Sequence, residues 1–442
     1  MNYLPNIIFA IILIAGIGYF SRNVNKLWRN IKLGQDKDVS DNKSQRWKNM
    51  AMIALGQSKM VKRPISGFFH VVVYVGFIII NIEVLEIIID GLFSGVLYEG
   101  HRIGMSFLPE AVYGFLIGSF EILAVGVLIA VIIFWLRRNV IKLKRFLSAE
   151  MKGWPKSDAN IILYFEVVLM CLFLIMNATD ATFQSYNSGN VISQFIAPLF
   201  SGLSESSLHL VERSAWWLHI IGILVFLNYL YFSKHLHILL AFPNTYYGKL
   251  TPQGQFKNNA AVTKEVMLMM DPDADPFAAP AETETEEAPA KFGASDVQDL
   301  SWVNLLNAYT CTECGRCTSE CPANQTGKKL SPRKIMMDTR DRLEEVGKNI
   351  DANNGTFVDD GKQLLNDYIT KEELWACTTC NACVEACPVS IDPLNIIMEM
   401  RRYLVMEESA APMELNNMMT NIENNGAPWP YNQMDRLNWK NE

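Results

Sequence analysis

Long apolar stretches dominate the first 240 residues of the chain, and polar positions are concentrated in the segments between them. A transmembrane helix needs about 20 consecutive residues that are mostly apolar. Five stretches reach this length, so the pattern predicts a bundle of five membrane-spanning helices. They lie near Tyr3–Phe20, Ile65–Ile89, Ala111–Leu136, Asn160–Ala178 and Ser214–Phe232.

The first of these stretches also resembles the apolar part of a secretory signal peptide. Such peptides have a basic segment in front and a cleavage site of small residues behind. Neither feature is present before Arg22. We therefore expect this stretch to remain as a membrane anchor.

Beyond residue 240 the pattern changes to shorter helices, and no run of alternating apolar and polar positions indicates a strand. Asp271–Ala290 is acidic, rich in Ala and Pro, and without apolar period, which predicts a flexible linker. Asn421–Glu442 is polar and aromatic, and we expect an extended tail. The predicted helices are Phe256–Met270, Ser301–Ala308, Ser331–Val346 and Pro393–Met406.

Composition divides the chain in the same way. Half of the 442 residues are hydrophobic and only 19% are charged, with the charges concentrated after residue 240. This ratio is unusual for a soluble protein and indicates a membrane part followed by a soluble part. The net charge of −7 comes partly from the acidic linker, and no basic stripe indicates a nucleic-acid partner.

Basic residues lie mainly in two of the loops that join the apolar stretches. The loop after the first stretch and the loop after the third are rich in Lys and Arg, whereas the two opposite loops carry only Arg102 and Arg213. Basic loops normally stay in the cytoplasm. We therefore expect a multi-pass protein of the inner (cytoplasmic) membrane, with the N-terminus outside and the soluble part in the cytoplasm.

The nine cysteines give the strongest chemical signal. Eight of them form two Cys-x2-Cys-x2-Cys-x3-Cys-Pro runs, Cys311–Pro322 and Cys377–Pro388. This spacing is typical of proteins with two [4Fe–4S] clusters, in which the fourth cysteine of each run binds the other cluster. Zinc sites instead favour two separated Cys-x2-Cys pairs. Thiolate ligands also require the reducing cytoplasm.

The exchange of the fourth cysteine predicts the ligands of both clusters. Cluster one is predicted to take Cys311, Cys314, Cys317 and Cys387. Cluster two is predicted to take Cys377, Cys380, Cys383 and Cys321. The ninth cysteine, Cys171, stands alone in an apolar stretch, and we expect it to be a packing residue.

Histidines in an apolar span are costly and mark ligand or proton sites. His70 and His237 lie at the predicted cytoplasmic ends of their spans, which predicts that they bind an inner b-type haem. His219 lies 18 residues before His237, a whole number of helical turns. For an outer haem its best partner is His101, with His209 as the second choice. Alternatively, these histidines bond to the backbone at the membrane surface.

Four acidic residues also lie within the apolar stretches. They either carry protons to or from a quinone or are protonated or paired packing residues. They are Glu83, Glu86, Glu121 and Glu166.

The membrane part resembles the gamma, or cytochrome b, subunit of respiratory nitrate reductase, which carries two b haems. The His219/His237 spacing, the number of spans and their topology carry the likeness. That family has two histidines ten residues apart in the second span, whereas Met60 and Ile80 flank His70 at this distance. The resemblance implies one or two b haems.

The soluble part resembles the C subunit of heterodisulfide reductase, an α-helical ferredoxin domain. The two cysteine runs, Leu330–Pro332 and Pro428-Trp429 carry this likeness. The fusion is similar to membrane subunits of the heterodisulfide reductase-like family, which includes enzymes proposed to link electron-transferring flavoprotein to menaquinone. Family members that act on substrates carry cysteine-rich repeats with Cys-Cys pairs, often in a separate subunit. The resemblance therefore implies a cytoplasmic partner, either a cysteine-rich-repeat iron–sulfur subunit or a flavoprotein.

Together these observations predict an all-α protein, with a five-span bundle in lipid and an α-helical ferredoxin domain. We expect an electron-transfer subunit between a cytoplasmic donor, two clusters, one or two b haems and the (mena)quinone pool. The alternatives are a quinol-oxidising anchor that feeds a cytoplasmic reductase, and a redox-sensing membrane scaffold. The predicted units are 1–240 (membrane domain), 241–295 (connector and acidic linker), 296–406 (ferredoxin domain) and 407–442 (extended partner-binding tail).

Overall fold

Five helices of the computed structural model are long and apolar enough to cross a membrane. The structure describes residues 3–98, 102–186, 188–256, 258, 260–272 and 291–441. All five predicted spans are confirmed as helices, each longer than its apolar stretch. They are α1 (Leu4–Ile31), α2 (Pro64–Phe93), α3 (Glu110–Asn139), α4 (Trp154–Thr179) and α5 (Glu205–Tyr229).

Small residues let these helices approach closely. The ring of Phe9 on α1 lies over Gly91 of α2, where an added Cβ would come within 2.6 Å of the ring. Val127 of α3 lies over Gly76 of α2 in the same way, at 2.7 Å. Lipid is as apolar as the side chains, so such close packing is a main source of helix association in a membrane. These contacts fix α2, which carries His70, against α1 and α3.

The fifth span ends before His237. Helix α5 continues as a 3-10 turn at Leu230–Phe232, and Ser233 is then extended, with φ −119° and ψ 147°. Asp158 stabilises this break, because its carboxylate accepts hydrogen bonds from Tyr229 Oη (2.6 Å) and from the Lys234 amide (3.2 Å). The expectation that a whole number of turns of one continuous helix separates His219 from His237 is therefore wrong.

Further helices follow the break. After the 3-10 turn Lys234–Leu236 come α6 (His237–Tyr246) and α7 (Ala260–Met270). The soluble part contains α8 (Trp302–Thr310), α9 (Pro332–Ala352), α10 (Pro393–Met406) and α11 (Met413–Asn425). Shorter helices and turns lie at Lys43–Met50, Ala51–Leu55, Ile103–Phe107, Lys144–Phe146, Ala149–Met151, Ala181–Ser185, Ser193–Ile196, Ala197–Phe200, Val297–Asp299, Arg316–Glu320, Pro322–Gln325, Leu364–Asp367, Lys371–Trp375, Ala382–Ala386 and Gln433–Lys440.

The predicted helices of the soluble part are confirmed. Ser331 is the N-cap of α9 and accepts a hydrogen bond from the Lys334 amide (3.4 Å), as its position before Pro332 predicts. Asp392 caps α10 through the Asn395 amide (3.0 Å). Within the described residues all regular elements are helical, and the all-α prediction is confirmed.

The tail differs from its prediction. It is helical at α11 and forms a 3-10 helix at Gln433–Lys440, so the expected extended conformation is wrong. Met418 and Ile422 lie four residues apart, a helical spacing that the many polar residues around them obscure. Gly426 ends α11 in the left-handed conformation, at φ 64°. Most of the predicted acidic linker, residues 273–290, lies outside the described residues.

The soluble domain docks on the end of the bundle that carries the basic loops. Asn30 at the end of α1 donates to Tyr309 Oη of α8 (3.0 Å), and both side chains are buried. The loop after α3 contacts Arg333, whose guanidinium donates to the Arg145 carbonyl (2.6 Å) and to the Glu150 carboxylate (2.7 Å). These contacts place the cysteine runs directly against the ends of the membrane helices.

Candidate redox site

The two cysteine runs fold into the same loop twice. The residue before the second cysteine is left-handed in both, at φ 54° for Glu313 and 55° for Thr379. The residue after it is left-handed as well, at φ 69° for Gly315 and 60° for Asn381. Each loop then enters a short helix that carries the third cysteine, and the two short helices pack against each other. The repeated spacing therefore produces a repeated conformation.

The packing of the two loops brings the first three cysteines of one run to the fourth cysteine of the other. Cys387 lines one cavity together with all three residues of the predicted cluster-one set from the first run. Apolar residues close this cavity, among them Met336 and Ile391. On the other side, the Cys321 thiol interacts electrostatically with those of Cys377 and Cys383. Five cysteines line this cavity: Cys311, Cys314, Cys317 and Cys387 of the first set, and Cys383 of the second.

Burial makes these thiols reluctant to ionise. It raises the pKa of Cys311 to about 12 and that of Cys387 to about 11. Bound iron would reverse this preference for the protonated thiol, because a metal ion deprotonates the thiols that bind it. Backbone amides are already directed at the sulfurs: Ile391 N–H donates to Cys387 Sγ (3.3 Å) and Thr379 N–H to Cys377 Sγ (3.4 Å).

The cavity and its donor set fit an iron–sulfur cluster. Among the residues that the structure describes, no three His, Cys, Asp or Glu side chains converge as a single metal ion would require. A four-iron cluster has no such requirement, because each thiolate binds a different iron atom. The amide–sulfur hydrogen bonds are also of the kind that tunes cluster potentials.

The two cysteine sets differ in their access to solvent. Cys380 of the second set is exposed, whereas Cys311 and Cys387 of the first are buried. Beside the second set, Arg401 donates to the carbonyls of Leu374 and Cys377 (both 2.6 Å). Cys380 therefore brings the second set to the surface, although Cys321 and Cys383 are buried, whereas the loop of the first set contacts the membrane part through Glu313 and Arg316.

His70 and His237 meet at the docked end of the bundle, as their depth in the sequence predicts. Their ring centroids lie 6.5 Å apart. Two imidazoles that bind one metal ion with bonds of about 2 Å have centroids about 6 Å apart. His237 Nδ1 donates to the Lys234 carbonyl (3.2 Å), which leaves Nε2 available as a ligand. His70 and His237 would therefore be placed to hold one haem iron.

The ring of His219 is held by a backbone hydrogen bond, as that of His237 is, but its surroundings differ from those of His237. Its Nδ1 donates to the Leu169 carbonyl (3.0 Å), and its ring packs on Phe173 at 6.2 Å. The side chain is buried. Its predicted partner His101 lies outside the described residues, and the second choice, His209, lies on α5, the same helix as His219.

Three of the four acids in the spans belong to a buried polar network at the other end of the bundle. Arg102 is its centre and donates to Asp180 (2.7 Å) and Asn177 (2.8 Å). Asn177 in turn donates to the Glu121 carboxylate (3.0 Å).

Glu83 lies 3.6 Å from Arg102. Glu86 accepts from the Tyr113 hydroxyl (3.1 Å), and Glu166 of α4 is half-buried.

Sequence reasoning missed the polar residues that connect the cysteine loops to the histidine pair. Lys234 forms a buried ion pair with Glu313, which lies between Cys311 and Cys314. Arg316, between Cys314 and Cys317, reaches the loop that precedes α2. Charged residues within a cysteine run are a visible signal in the sequence. Their partners in the membrane part lie more than 70 residues away, and no local pattern identifies them.

Comparison with known proteins agrees with this geometry. Residues 310–391 match the family model of the 4Fe-4S dicluster domain. The chain is 36% identical over 108 residues to the C subunit of the ferredoxin/F420H2-dependent CoB-CoM heterodisulfide reductase of Methanosarcina acetivorans, covering 24% of this chain and 52% of that protein. The chain therefore combines a heterodisulfide reductase C-like dicluster domain with a membrane part.

Two relatives match both parts of this fusion. The probable iron-sulfur-binding oxidoreductase FadF of Bacillus subtilis is 29% identical over 99% of this chain and 61% of its own length. The EtfAB:quinone oxidoreductase of Syntrophomonas wolfei is 26% identical over 91% of this chain and 55% of its own length. The chain thus spans between half and two thirds of these relatives. No solved structure matches it.

Proposed function

We propose that this chain is the membrane electron-transfer subunit of a quinone-linked oxidoreductase. Electrons would pass between a cytoplasmic donor or partner subunit, two [4Fe–4S] clusters, one or two b haems and the (mena)quinone pool. One observation carries the proposal: the dicluster domain docks on the membrane bundle at the end where His70 and His237 face each other at 6.5 Å. The oxidoreductase names of the relatives support a redox role.

The proposed cluster ligands follow the exchange of the fourth cysteine. Cluster one would be held by Cys311, Cys314, Cys317 and Cys387. Cluster two would be held by Cys377, Cys380, Cys383 and Cys321. The shared cavity of the first set and the electrostatic interactions of Cys321 with Cys377 and Cys383 support this assignment. When bound, the clusters supply one-electron carriers whose potentials the protein sets.

The proposed haem site is built on His70 and His237. The hydrogen bond from His237 Nδ1 to the Lys234 carbonyl fixes its ring and its tautomer, the role that outer partners have at metal sites. A second haem on His219 and His101 completes the proposal at the opposite membrane surface. The buried network of Glu83, Glu86 and Glu121 at that end provides groups for proton exchange with a quinone.

Electrons would enter at cluster two and leave from cluster one. Cys380 lies on the protein surface, where a partner can approach, whereas the loop of the first cysteine set contacts the membrane part through Glu313 and Arg316. The partner would be a cysteine-rich-repeat iron–sulfur subunit or a flavoprotein. The name of the Syntrophomonas relative, which joins EtfAB to quinone, supports the flavoprotein.

The dicluster domain would lie in the cytoplasm and the N-terminus outside. The loops that contact the domain carry most of the Lys and Arg residues of the membrane part, and such loops normally remain cytoplasmic. Two of these loops contribute Arg63 and Arg145 to the contact. The membrane would be the inner (cytoplasmic) membrane.

Spectroscopy of the full chain purified from membranes tests the proposal. We expect EPR signals of two [4Fe–4S] clusters after reduction with dithionite, and the optical bands of a low-spin b haem. Zinc in place of iron, or iron without haem, would overturn the corresponding part.

The direction of transfer needs a second experiment on membranes. Haem reduction by reduced electron-transferring flavoprotein supports the proposed direction. Reduction by menadiol but not by flavoprotein would instead identify a quinol-oxidising anchor. Clusters and haem that exchange no electrons during turnover would identify a redox-sensing scaffold.

A further inference from the structure

Arg316 lies at the boundary between the first cysteine loop and the membrane part. Its side chain is only 5% exposed. The guanidinium donates to the carbonyls of Lys59 and Met60, each at 3.2 Å. These two residues belong to the short loop that leads into α2 at Pro64. Arg316 therefore ties the loop of the first cysteine set to the helix that carries His70.

The charge of Arg316 acts on both predicted redox sites. It interacts electrostatically with the Cys314 and Cys387 thiols on one side. On the other side it interacts with the His70 ring. A single cationic group thus lies close to ligands of both centres.

Nothing among the described residues neutralises this cation through an ion pair. Glu313 in the same cysteine loop pairs with Lys234 and Arg340, whereas the Arg316 donors go to two carbonyl oxygens and to the Met60 sulfur. A buried charge without a counterion is costly. A cluster bound by four thiolates is an anion, and it would supply the missing negative charge.

The other side of the junction is balanced within the protein. Glu313, in the same cysteine loop, pairs with Lys234 and with Arg340 (2.9 Å). Lys234 also lies 3.8 Å from Asp158. Two acids and two bases therefore compensate each other there. Arg316 adds a positive charge that is not compensated in this way, and Arg145 also interacts electrostatically with the Cys314 thiol.

We propose that Arg316 is a positioning residue that holds cluster one against the His70–His237 site and stabilises the reduced form of both centres. This inference rests on the proposed function, because it assumes that a cluster and a haem occupy these sites. A fixed positive charge favours the state that has gained an electron. Arg316 would therefore raise the midpoint potentials of cluster one and of the inner haem together. Cluster two, whose predicted ligands include the exposed Cys380, would be screened by solvent and affected little.

The test compares Arg316→Gln and Arg316→Lys with the wild-type full chain in detergent. Potentiometric titration followed optically reports the haem, and the same titration followed by EPR reports the clusters. We expect Arg316→Gln to lower the midpoint potentials of the haem and of cluster one, with cluster two unchanged. Arg316→Lys keeps the charge and should keep both potentials near the wild-type values.

Arg63→Gln is the matched control. Arg63 lies in the same interface and contacts Ser319 and Glu320 (both 2.8 Å), but it is partly exposed to solvent. Solvent screens such a charge, so this variant should leave all potentials unchanged. Iron content per chain shows whether each variant has kept its clusters.

The outcomes separate this inference from the proposed function. Unchanged potentials in Arg316→Gln, or an equal fall of both clusters, would overturn the role of Arg316. A wild-type protein with clusters but without haem would overturn the haem site, and the shift of cluster one would still decide the role of Arg316. Loss of iron in Arg316→Gln together with a lowered potential in Arg316→Lys would show that geometry, and not charge, is what Arg316 supplies.

Discussion

Lys234 forms an ion pair with Glu313 that is buried between the membrane part and the dicluster domain. Lys234 also accepts the hydrogen bond of His237 through its carbonyl (3.2 Å). Glu313 lies between Cys311 and Cys314 in the first cysteine loop. One ion pair therefore joins the residue that orients a predicted haem ligand to the loop that holds a predicted cluster.

Removal of Lys234 should destabilise this junction strongly. In Lys234→Met the Glu313 carboxylate stays buried with Arg340 as its remaining partner, and breaking a buried pair costs about 3–5 kcal/mol. Thermal unfolding of the full chain in detergent measures the loss. Lys234→Met/Glu313→Gln should recover part of it, because one acid and one base are removed together and the net charge of the junction is restored. The control Lys329→Met removes an exposed pair with Glu372 and should cost less than about 1 kcal/mol.

Replacement of the fourth cysteine of one run should perturb the cluster that is held by the first three cysteines of the other run. Cys387→Ser lies in the second run but should perturb the cluster of the first run, and Cys321→Ser should perturb the cluster of the second. EPR of the reduced variants, compared with Cys314→Ser and Cys380→Ser, assigns the signals. The exchange would be contradicted if Cys387→Ser altered the same EPR signal as Cys380→Ser, and Cys321→Ser the same signal as Cys314→Ser.

The histidine pair gives a third prediction. His70→Ala and His237→Ala should each abolish the low-spin spectrum of the inner haem, because both axial ligands are needed. His235→Gln is the matched control, since the His235 ring packs on Phe226 and lies 5.3 Å from His237. It should retain the haem. Retention in His70→Ala with loss in His235→Gln would instead identify His235 as a ligand.

Asp338 gives a prediction about pH that is independent of any cofactor. Burial raises its pKa to about 6, and nearby Glu373 adds to this effect, although Lys334 at 2.6 Å opposes it. The pKa is thus higher in the folded state than the ordinary 3.8. The protonated form stabilises the fold below pH 3.8, and this contribution is lost as the pH rises through about 6.

Asp338→Asn should therefore stabilise the chain at pH 7.5 by on the order of 1 kcal/mol, with a much smaller gain near pH 4. Urea unfolding at the two pH values measures the difference. Asp341→Asn, at an exposed carboxylate, serves as the control. A gain in Asp338→Asn that is the same at both pH values would mean that the ionisation of Asp338 is not its cause.

Local patterns predicted most of the fold. Pro393–Met406 begins and ends where the spacing places it, and Ser331 caps its helix as expected. These features depend on residues within a few positions of each other. The tail helix was missed because polar residues surround its few apolar positions, which hides the helical period.

Long-range contacts account for the rest. The break at Ser233 depends on Asp158, 75 residues earlier, which accepts hydrogen bonds from both sides of it. The depth of His70 and His237 in their spans predicted their meeting correctly, because depth is a local property of each span. The partners of Arg316 and Glu313 in the membrane part belong to distant loops, and a single sequence does not identify such partners.

The dicluster domain is fastened to the membrane helices at several separate places, through Asn30, Arg63, Arg145 and Lys234. A carrier held in this way has no freedom to swing between a donor and an acceptor. Its internal rate of electron delivery should therefore be insensitive to solvent viscosity, and added glycerol should slow only the encounter with a soluble partner. The domain would therefore deliver electrons from one fixed position, without a rate-limiting movement between a donor and an acceptor.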